Sequence, residues 1–131
     1  MRSLGGTLRR VLYTFNESNV TSPENLLFNN CYVAYIEHLV SKIAAILGKA
    51  EDAKKHAAAA AARAAAVNTA FYQANSGAYV DLLQTHIVMP LATGVVPTGP
   101  RVGATETLLE GAIEALGGHL DTGLTGTYFM T

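Results

Sequence analysis

The residues best suited to chemistry stand in one short segment near the end of the chain, GGHLDTGLTGT, residues 117–127. It places an imidazole, His119, two positions before a carboxylate, Asp121. Imidazole and carboxylate groups serve as general acids and bases, so such a pair can hold or transfer a proton. Two polar side chains in a loop are more often structural hydrogen-bonding partners than catalysts, and both interpretations stay open.

A Thr-Gly-x-x-Gly-Thr motif follows at once and comprises Thr122, Gly123, Gly126 and Thr127. Glycine adopts positive φ and lets the backbone approach a neighbour closely, and a threonine hydroxyl can cap a new helix. The motif stands between a glycine pair that ends a helix and an apolar Tyr-Phe-Met run. We therefore expect a tight structural loop that leads into a further helix.

A second polar group, Gln84, Thr85 and His86, interrupts the apolar segment LLQTHIVMPLATGVV, residues 82–96. Polar residues within an apolar helix indicate either a face toward a wet cavity or, more commonly, hydrogen bonds to neighbouring helices. Together with Pro90 they break the apolar run well short of the length that spans a membrane.

The elements that must position these residues are predicted to be helices. Ser22-Pro23-Glu24 is a start signal, because it offers a capping hydroxyl, a proline for the first turn and an acid at the positive end of the dipole. Apolar residues then recur at spacings of four and three until Gly48 ends the helix. That stripe consists of Tyr32, Ile36, Leu39, Ile43 and Ile46.

Three further helices follow. An alanine-rich helix starts near Glu51, and a third runs from a cap at Asp81 toward Gly94, with Pro90 kinking it or opening its last turn. A fourth spans roughly Gly103 to Leu116. Its predicted inward side chains are Leu108, Leu109, Ala112, Ile113 and Leu116, and its predicted solvated row is Glu106, Glu110 and Glu114.

The pattern favours an all-α fold built from antiparallel helical hairpins. No strand pattern competes, and connections of a few to about a dozen residues make successive helices antiparallel neighbours. The sequence predicts two hairpins and the start of a third.

Composition limits the class of protein further. With 131 residues, 50% of them hydrophobic, and a net charge of −1, the chain forms at most one ordered domain. So little charge argues against nucleic-acid or membrane binding driven by electrostatics. The single cysteine, Cys31, can form no internal disulfide, and we expect it to be a small buried residue.

The start of the chain gives little information on localisation. Residues 1–15 lack the continuous apolar stretch of a secretory signal, so the cytoplasm and secretion through a missing N-terminus both stay open. Asn16 and Asn19 fit the N-glycosylation pattern, which matters only in a secreted chain.

Four segments, in order from about Asn29 to the end, resemble the catalytic domain of bacterial-type α-L-rhamnosidases, glycoside hydrolase family 78. These segments are LGKAEDA, AVNTAFY, QTHIVMPLATGVVP and GGHLDTGLTGT. The resemblance implies part of an (α/α)6 toroid of six hairpins. We assign residues 22–131 to this partial domain, about two hairpins and the start of a third, and residues 1–21 to an unmatched N-terminal segment.

The resemblance implies hydrolysis of terminal α-L-rhamnosyl groups by inversion, with no cofactor and no metal. Inversion needs an acid and a base roughly 6.5 to 9.5 Å apart. In the family, the acid belongs to an Arg-Glu-Arg segment and the base to a tryptophan-rich segment. This sequence contains neither an Arg-Glu-Arg nor any tryptophan. We therefore expect no catalytic residue in the chain, and no activity from the chain alone.

The resemblance also implies a carbohydrate partner, either a rhamnosylated glycoside or a polysaccharide. Asp81 and Asp121 are the acids that a toroid of helices could present to a sugar. The full set of substrate-cup candidates is Tyr79, Asp81, Gln84, His119 and Asp121. A part of such a ring leaves apolar faces uncovered, which predicts self-association.

Two alternatives remain. A non-catalytic helical repeat module would bind a partner through an apolar groove. A different helical-toroid enzyme should retain a usable acid and base, and none is evident in the sequence.

Overall fold

The computed structural model describes residues 20–131 and contains five helices and no strand in that range. The helices are α1 (Pro23–Ile46), α2 (Ala50–Phe71), α3 (Gln84–Ala92), α4 (Pro100–Glu114) and α5 (Gly123–Met130). The predicted all-α class is confirmed. Asn16, Asn19 and the N-terminal segment assessed as a targeting signal lie outside the described residues. None of the helices described is long and apolar enough to cross a membrane.

The first two helices form an antiparallel hairpin. Ser22 Oγ accepts a hydrogen bond from the Asn25 backbone amide, as a helix cap does, and Gly48 turns the chain at φ +70°. Three side-chain contacts join the helices, and residue numbers rise along α1 as they fall along α2. The pairs are Asn30 with Arg63, Glu37 with His56, and Ser41 with the Ala53 carbonyl.

The apolar stripe that predicts α1 does not face the core. Its five side chains are between 38% and 84% exposed. The residues of α1 that are buried are smaller on average, and they are Leu27, Cys31, Ala34 and Ala44. The helical spacing of the apolar residues thus predicted the helix correctly, but contacts with α2 and α3 decided which of its sides is buried.

The core lies where the first half of α1 meets the end of α2, the connection to α3 and the end of α3. It is formed by Leu27, Cys31, Ala34, Val67, Tyr79, Met89, Val95 and Val96. Cys31 is buried as expected, and burial raises the pKa of its thiol to about 12.

Asn68, from the AVNTAFY segment, joins three parts of this core. Its Nδ2 donates to the carbonyls of Ala64 (2.8 Å) and Val95 (2.6 Å). Its Oδ1 accepts from the Tyr79 hydroxyl at 2.6 Å and from Arg101 at 3.2 Å. Sequence reasoning did not single out Asn68, although one amide side chain inside an alanine-rich helix is a usable signal for a buried hydrogen-bonding group.

Helix α3 begins at Gln84, with Leu83 at the cap position, two residues later than the predicted cap at Asp81. Asp81 does not occupy the cap position; its Oδ1 accepts from the Leu83 backbone amide at 2.9 Å in the turn before the helix. The helix ends two residues after Pro90, whose carbonyl accepts from the amides of Val95 and Val96. Pro90 thus lies in the last turn of α3, where its missing N–H removes one helical hydrogen bond.

Helix α4 begins three residues earlier than the predicted start at Gly103. α4 starts at Pro100, because proline suits a first helical turn and Gly99 adopts φ +111° before it. Its three glutamates are exposed, as predicted. Leu116 lies beyond the end of α4 and is 37% exposed, so its predicted inward position is wrong.

Candidate functional site

Three of the five predicted cup residues, Asp81, Gln84 and Asp121, line one cavity of about 800 Å³. We call it the α3–α4 cavity. Much of its remaining wall is apolar and comes from the segment before α3 and from one face of α4, including Leu83 and Leu108. The polar residues come from chain segments almost forty positions apart, so only the folded chain brings them together.

Gln84 holds the segment after α4 in place. Its side chain is 2% exposed, and its amide nitrogen donates to the carbonyls of His119 (2.9 Å) and Ala112 (3.4 Å). Its Oε1 accepts from the Asp121 backbone amide at 2.9 Å. One side chain of α3 therefore fixes the end of α4 and the loop that carries Asp121.

Thr85 fixes the start of α5 in a similar way. Its hydroxyl donates to the Thr122 carbonyl at 3.0 Å. A Cβ atom placed on Gly126 would lie 2.7 Å from Thr122 Cβ and 2.8 Å from Thr85 Oγ1, so only glycine fits there without displacement. Gly126 therefore allows α5 to pack closely against α3.

The Thr-Gly-x-x-Gly-Thr motif lies mostly inside α5, and the expectation that the whole motif is a loop is wrong. The helix starts at Gly123, which has φ +62°. Thr122 makes no capping bond through its side chain; its hydroxyl pairs with that of Thr127 at 2.8 Å. Thr127 donates in turn to the Gly123 carbonyl, since a hydroxyl four residues on reaches the preceding turn.

Asp121 presents a polar atom without a partner. Its Oδ1 is buried and accepts no hydrogen bond from any residue in the described part of the chain. A buried acceptor left unsatisfied costs about 1–3 kcal/mol, so it favours a ligand that brings a donor. Asp121 also lines the α3–α4 cavity, so the residue that carries this unsatisfied atom belongs to the cavity wall.

Asp81 is held at the same cavity by two donors. Besides the Leu83 amide, His86 Nδ1 lies 2.8 Å from Asp81 Oδ1. His86 is 2% exposed, and its Nε2 is buried without a hydrogen-bond partner among residues 20–131. Sequence reasoning named His86 only as a polar interruption of the helix and missed its contact with Asp81.

The other two cup candidates lie elsewhere. Tyr79 is 1% exposed in the core, where burial raises the pKa of its phenol to about 12. His119 has an exposed side chain and does not line the cavity; only its carbonyl takes part, as an acceptor from Gln84. Neither residue is included in the site proposed below.

The charges around the cavity suit an uncharged ligand that donates hydrogen bonds. Its lining residues include two carboxylates and no basic side chain. Residues 20–131 contain no group of three or more His, Cys, Asp or Glu side chains that could hold a metal ion. Carboxylates beside an apolar wall suit a ligand that carries hydroxyl groups on an otherwise apolar body.

An antiparallel pair of helices followed by three further helices, with no strand in residues 20–131, defines an all-helical hairpin domain. Residues 12–131 match the family model described as the bacterial alpha-L-rhamnosidase 6 hairpin glycosidase domain. The chain belongs to this family, which confirms the resemblance stated from the sequence. No curated protein and no solved structure matches the chain in the corresponding comparisons.

Proposed function

We propose that this chain forms one wall of the sugar-binding cup of an α-L-rhamnosidase, and that the α3–α4 cavity takes a terminal α-L-rhamnosyl group. Membership of the family supports a glycoside hydrolase domain with a carbohydrate substrate. The observation that carries the proposal is that Asp81 and Asp121 line this cavity together, Asp121 with one carboxylate oxygen that has no hydrogen-bond partner among residues 20–131. Sugar hydroxyl groups are donors of the kind this atom requires.

The two sides of the cavity suit the two sides of the sugar. Asp81 and Asp121 accept hydrogen bonds from hydroxyl groups, and charged acceptors make the stronger bonds of this kind. Leu83, Leu108 and Leu116 face the carbon-bound hydrogens and the methyl group that rhamnose carries in place of a hydroxymethyl group. Binding an apolar methyl there removes apolar surface from water.

We further propose that the parent reaction is hydrolysis with inversion and that this chain does not perform it alone. Inversion requires a carboxylic acid to protonate the leaving oxygen and a carboxylate to activate water. The sequence has no Arg-Glu-Arg segment and no tryptophan, the surroundings in which the family places these groups. Asp81 and Asp121 are therefore assigned to binding and not to proton transfer.

Titration of the chain with methyl α-L-rhamnoside tests the proposed site. We expect amide shifts in nuclear magnetic resonance spectra to concentrate at Gln84, Asp121 and the facing residues of α4. Asp121→Asn should weaken binding by about tenfold or more, because a hydrogen bond to a charged group is worth roughly 1.5–3 kcal/mol and about 1.4 kcal/mol is a factor of ten.

The matched control is Glu110→Gln, which removes a carboxylate from the exposed face of α4 and should leave the affinity unchanged. Methyl α-L-fucoside, a deoxy sugar with other hydroxyl orientations, controls for stereochemistry. Shifts scattered over the surface, or equal binding by Asp121→Asn, would contradict the proposal.

We also propose that the chain associates with itself through the exposed apolar stripe of α1. The spacing of four and three along this stripe suits packing against another helix. Ile36 and Ile43 are 45% and 54% exposed, which leaves much apolar surface in water.

Analytical ultracentrifugation over a range of concentrations measures this association. The wild-type chain should show a rising mass, and a variant with Ile36→Gln and Ile43→Gln should remain monomeric with the same helix content. Ala58→Gln, on the exposed side of α2, is the control and should associate as the wild type does. A wild-type mass that stays monomeric at every concentration would rule out the association.

A further inference from the structure

His86 forms a contact whose purpose the proposed function does not explain. The imidazole belongs to the first turn of α3 and reaches back to Asp81, five residues earlier. The contact between Nδ1 and Oδ1 is 2.8 Å, and the imidazole is almost fully enclosed by protein while the Asp81 side chain is 37% exposed. One partner is thus fixed in the interior, and the other stands at the edge of the α3–α4 cavity.

A structural role alone accounts poorly for a histidine at this position. The Leu83 amide already donates to Asp81 Oδ1, so the turn before α3 is held without the imidazole. The histidine leaves Nε2 buried with no partner in the described part of the chain, which costs stability.

The hydrogen-bond pattern also defines the form of the ring. Nδ1 must carry hydrogen to donate to the carboxylate, because an ionised carboxylate only accepts. A neutral ring then has its lone pair on Nε2, and no second N–H is buried without an acceptor. The arrangement is that of a carboxylate oriented by a fixed imidazole.

We infer that His86 is a positioning residue for the sugar site: its Nδ1–H holds the Asp81 carboxylate in the orientation in which it receives a sugar hydroxyl. This inference rests on the proposed function, because it assumes that a sugar occupies the cavity. His86 itself does not line the cavity and acts through Asp81.

Two variants of the whole chain separate positioning from packing. His86→Asn keeps an N–H donor close to the position of Nδ1, whereas His86→Leu fills similar space without a donor. The control is His38→Asn, at an exposed position on α1. Affinity for methyl α-L-rhamnoside is measured for each variant, and thermal unfolding is followed in parallel.

His86→Leu should raise the dissociation constant about tenfold, since one hydrogen bond to a charged group is lost from the orienting pair. His86→Asn should stay within about threefold of the wild type, and His38→Asn should not change it. Equal affinity for His86→Leu and wild type would overturn the inference. So would equal weakening by Asn and Leu, which is the result that a purely structural role predicts.

A measurement without sugar distinguishes failure of this inference from failure of the proposed function. Imidazole nitrogen shifts of the wild-type chain identify the tautomer of His86, and the hydrogen is expected on Nδ1. A hydrogen on Nε2 alone would overturn the positioning role, even if the sugar binds. The Nδ1–H form together with no rhamnoside binding by the wild type would instead reject the proposed function and with it the role assigned here.

Discussion

Replacement of Gly126 by alanine is expected to destabilise the chain by about 3 kcal/mol. The added Cβ would lie 2.7 Å from Thr122 Cβ and 2.8 Å from Thr85 Oγ1, well inside contact distance. Neither neighbour can move freely, because the Thr85 hydroxyl is bonded to the Thr122 carbonyl. Overpacking of this kind costs about 1–3 kcal/mol, and the lost anchor of α5 adds to it. Urea unfolding followed by circular dichroism measures the change.

Gly111→Ala is the matched control for the same substitution in a different environment. A Cβ on Gly111, within α4, meets no atom within 4 Å, and alanine favours a helix over glycine by roughly 0.8–1 kcal/mol. It should therefore stabilise the chain. Two glycines with opposite responses would show that the close approach of α5 to α3, and not helix propensity, requires Gly126. An unchanged stability for Gly126→Ala would mean that α5 packs differently.

Gln84→Leu is expected to cost about 3 kcal/mol. Leucine is similar in size but leaves two carbonyls, those of Ala112 and His119, and the Asp121 amide without the partner that Gln84 provides. Each unsatisfied buried group costs about 1–3 kcal/mol, reduced where water reaches it. Chemical denaturation gives the total loss, and hydrogen exchange should show the greatest loss of protection at the Asp121 amide.

Gln84→Glu serves as the comparison, because it keeps the oxygen that accepts from Asp121 and removes the two donors. Its buried carboxylate would face the two carbonyls without a donor, so its loss of stability should be at least as large as that of leucine, while the Asp121 amide keeps its acceptor. Equal protection of this amide in wild type and Gln84→Leu would show that Gln84 does not anchor the loop.

Gly126 and Gln84 both contribute to one feature of the fold, the attachment of the chain around Asp121 to α3. Gln84 and Thr85 are adjacent, and each binds a backbone group of this segment or of the residue after it. The carboxylate of Asp121 is therefore positioned by the body of the fold rather than by a free loop. A binding group held in this way loses little conformational freedom when a ligand arrives.

The sequence by itself determined the helices, most of their ends and the family. A cap at Ser22, glycine at Gly48 and the spacing of apolar residues act within a few positions of the chain, so they are readable without a structure. The ordered motifs sufficed to identify the six-hairpin rhamnosidase domain. The starts of α3, α4 and α5 were misplaced, because Asp81 bonds the Leu83 amide in a turn before α3, Pro100 begins α4, and Thr122 pairs with Thr127 instead of capping α5.

Only the tertiary structure decided which polar residues share a site. Asp81, Gln84 and Asp121 meet in one cavity, while Tyr79 turns into the core to bind Asn68. The apolar stripe of α1 remained in water, because its smaller neighbours pack against α2 and α3. The physical reason is the same in each case. Burial and hydrogen bonding depend on atoms contributed by residues tens of positions away, and the sequence records their order but not their distances.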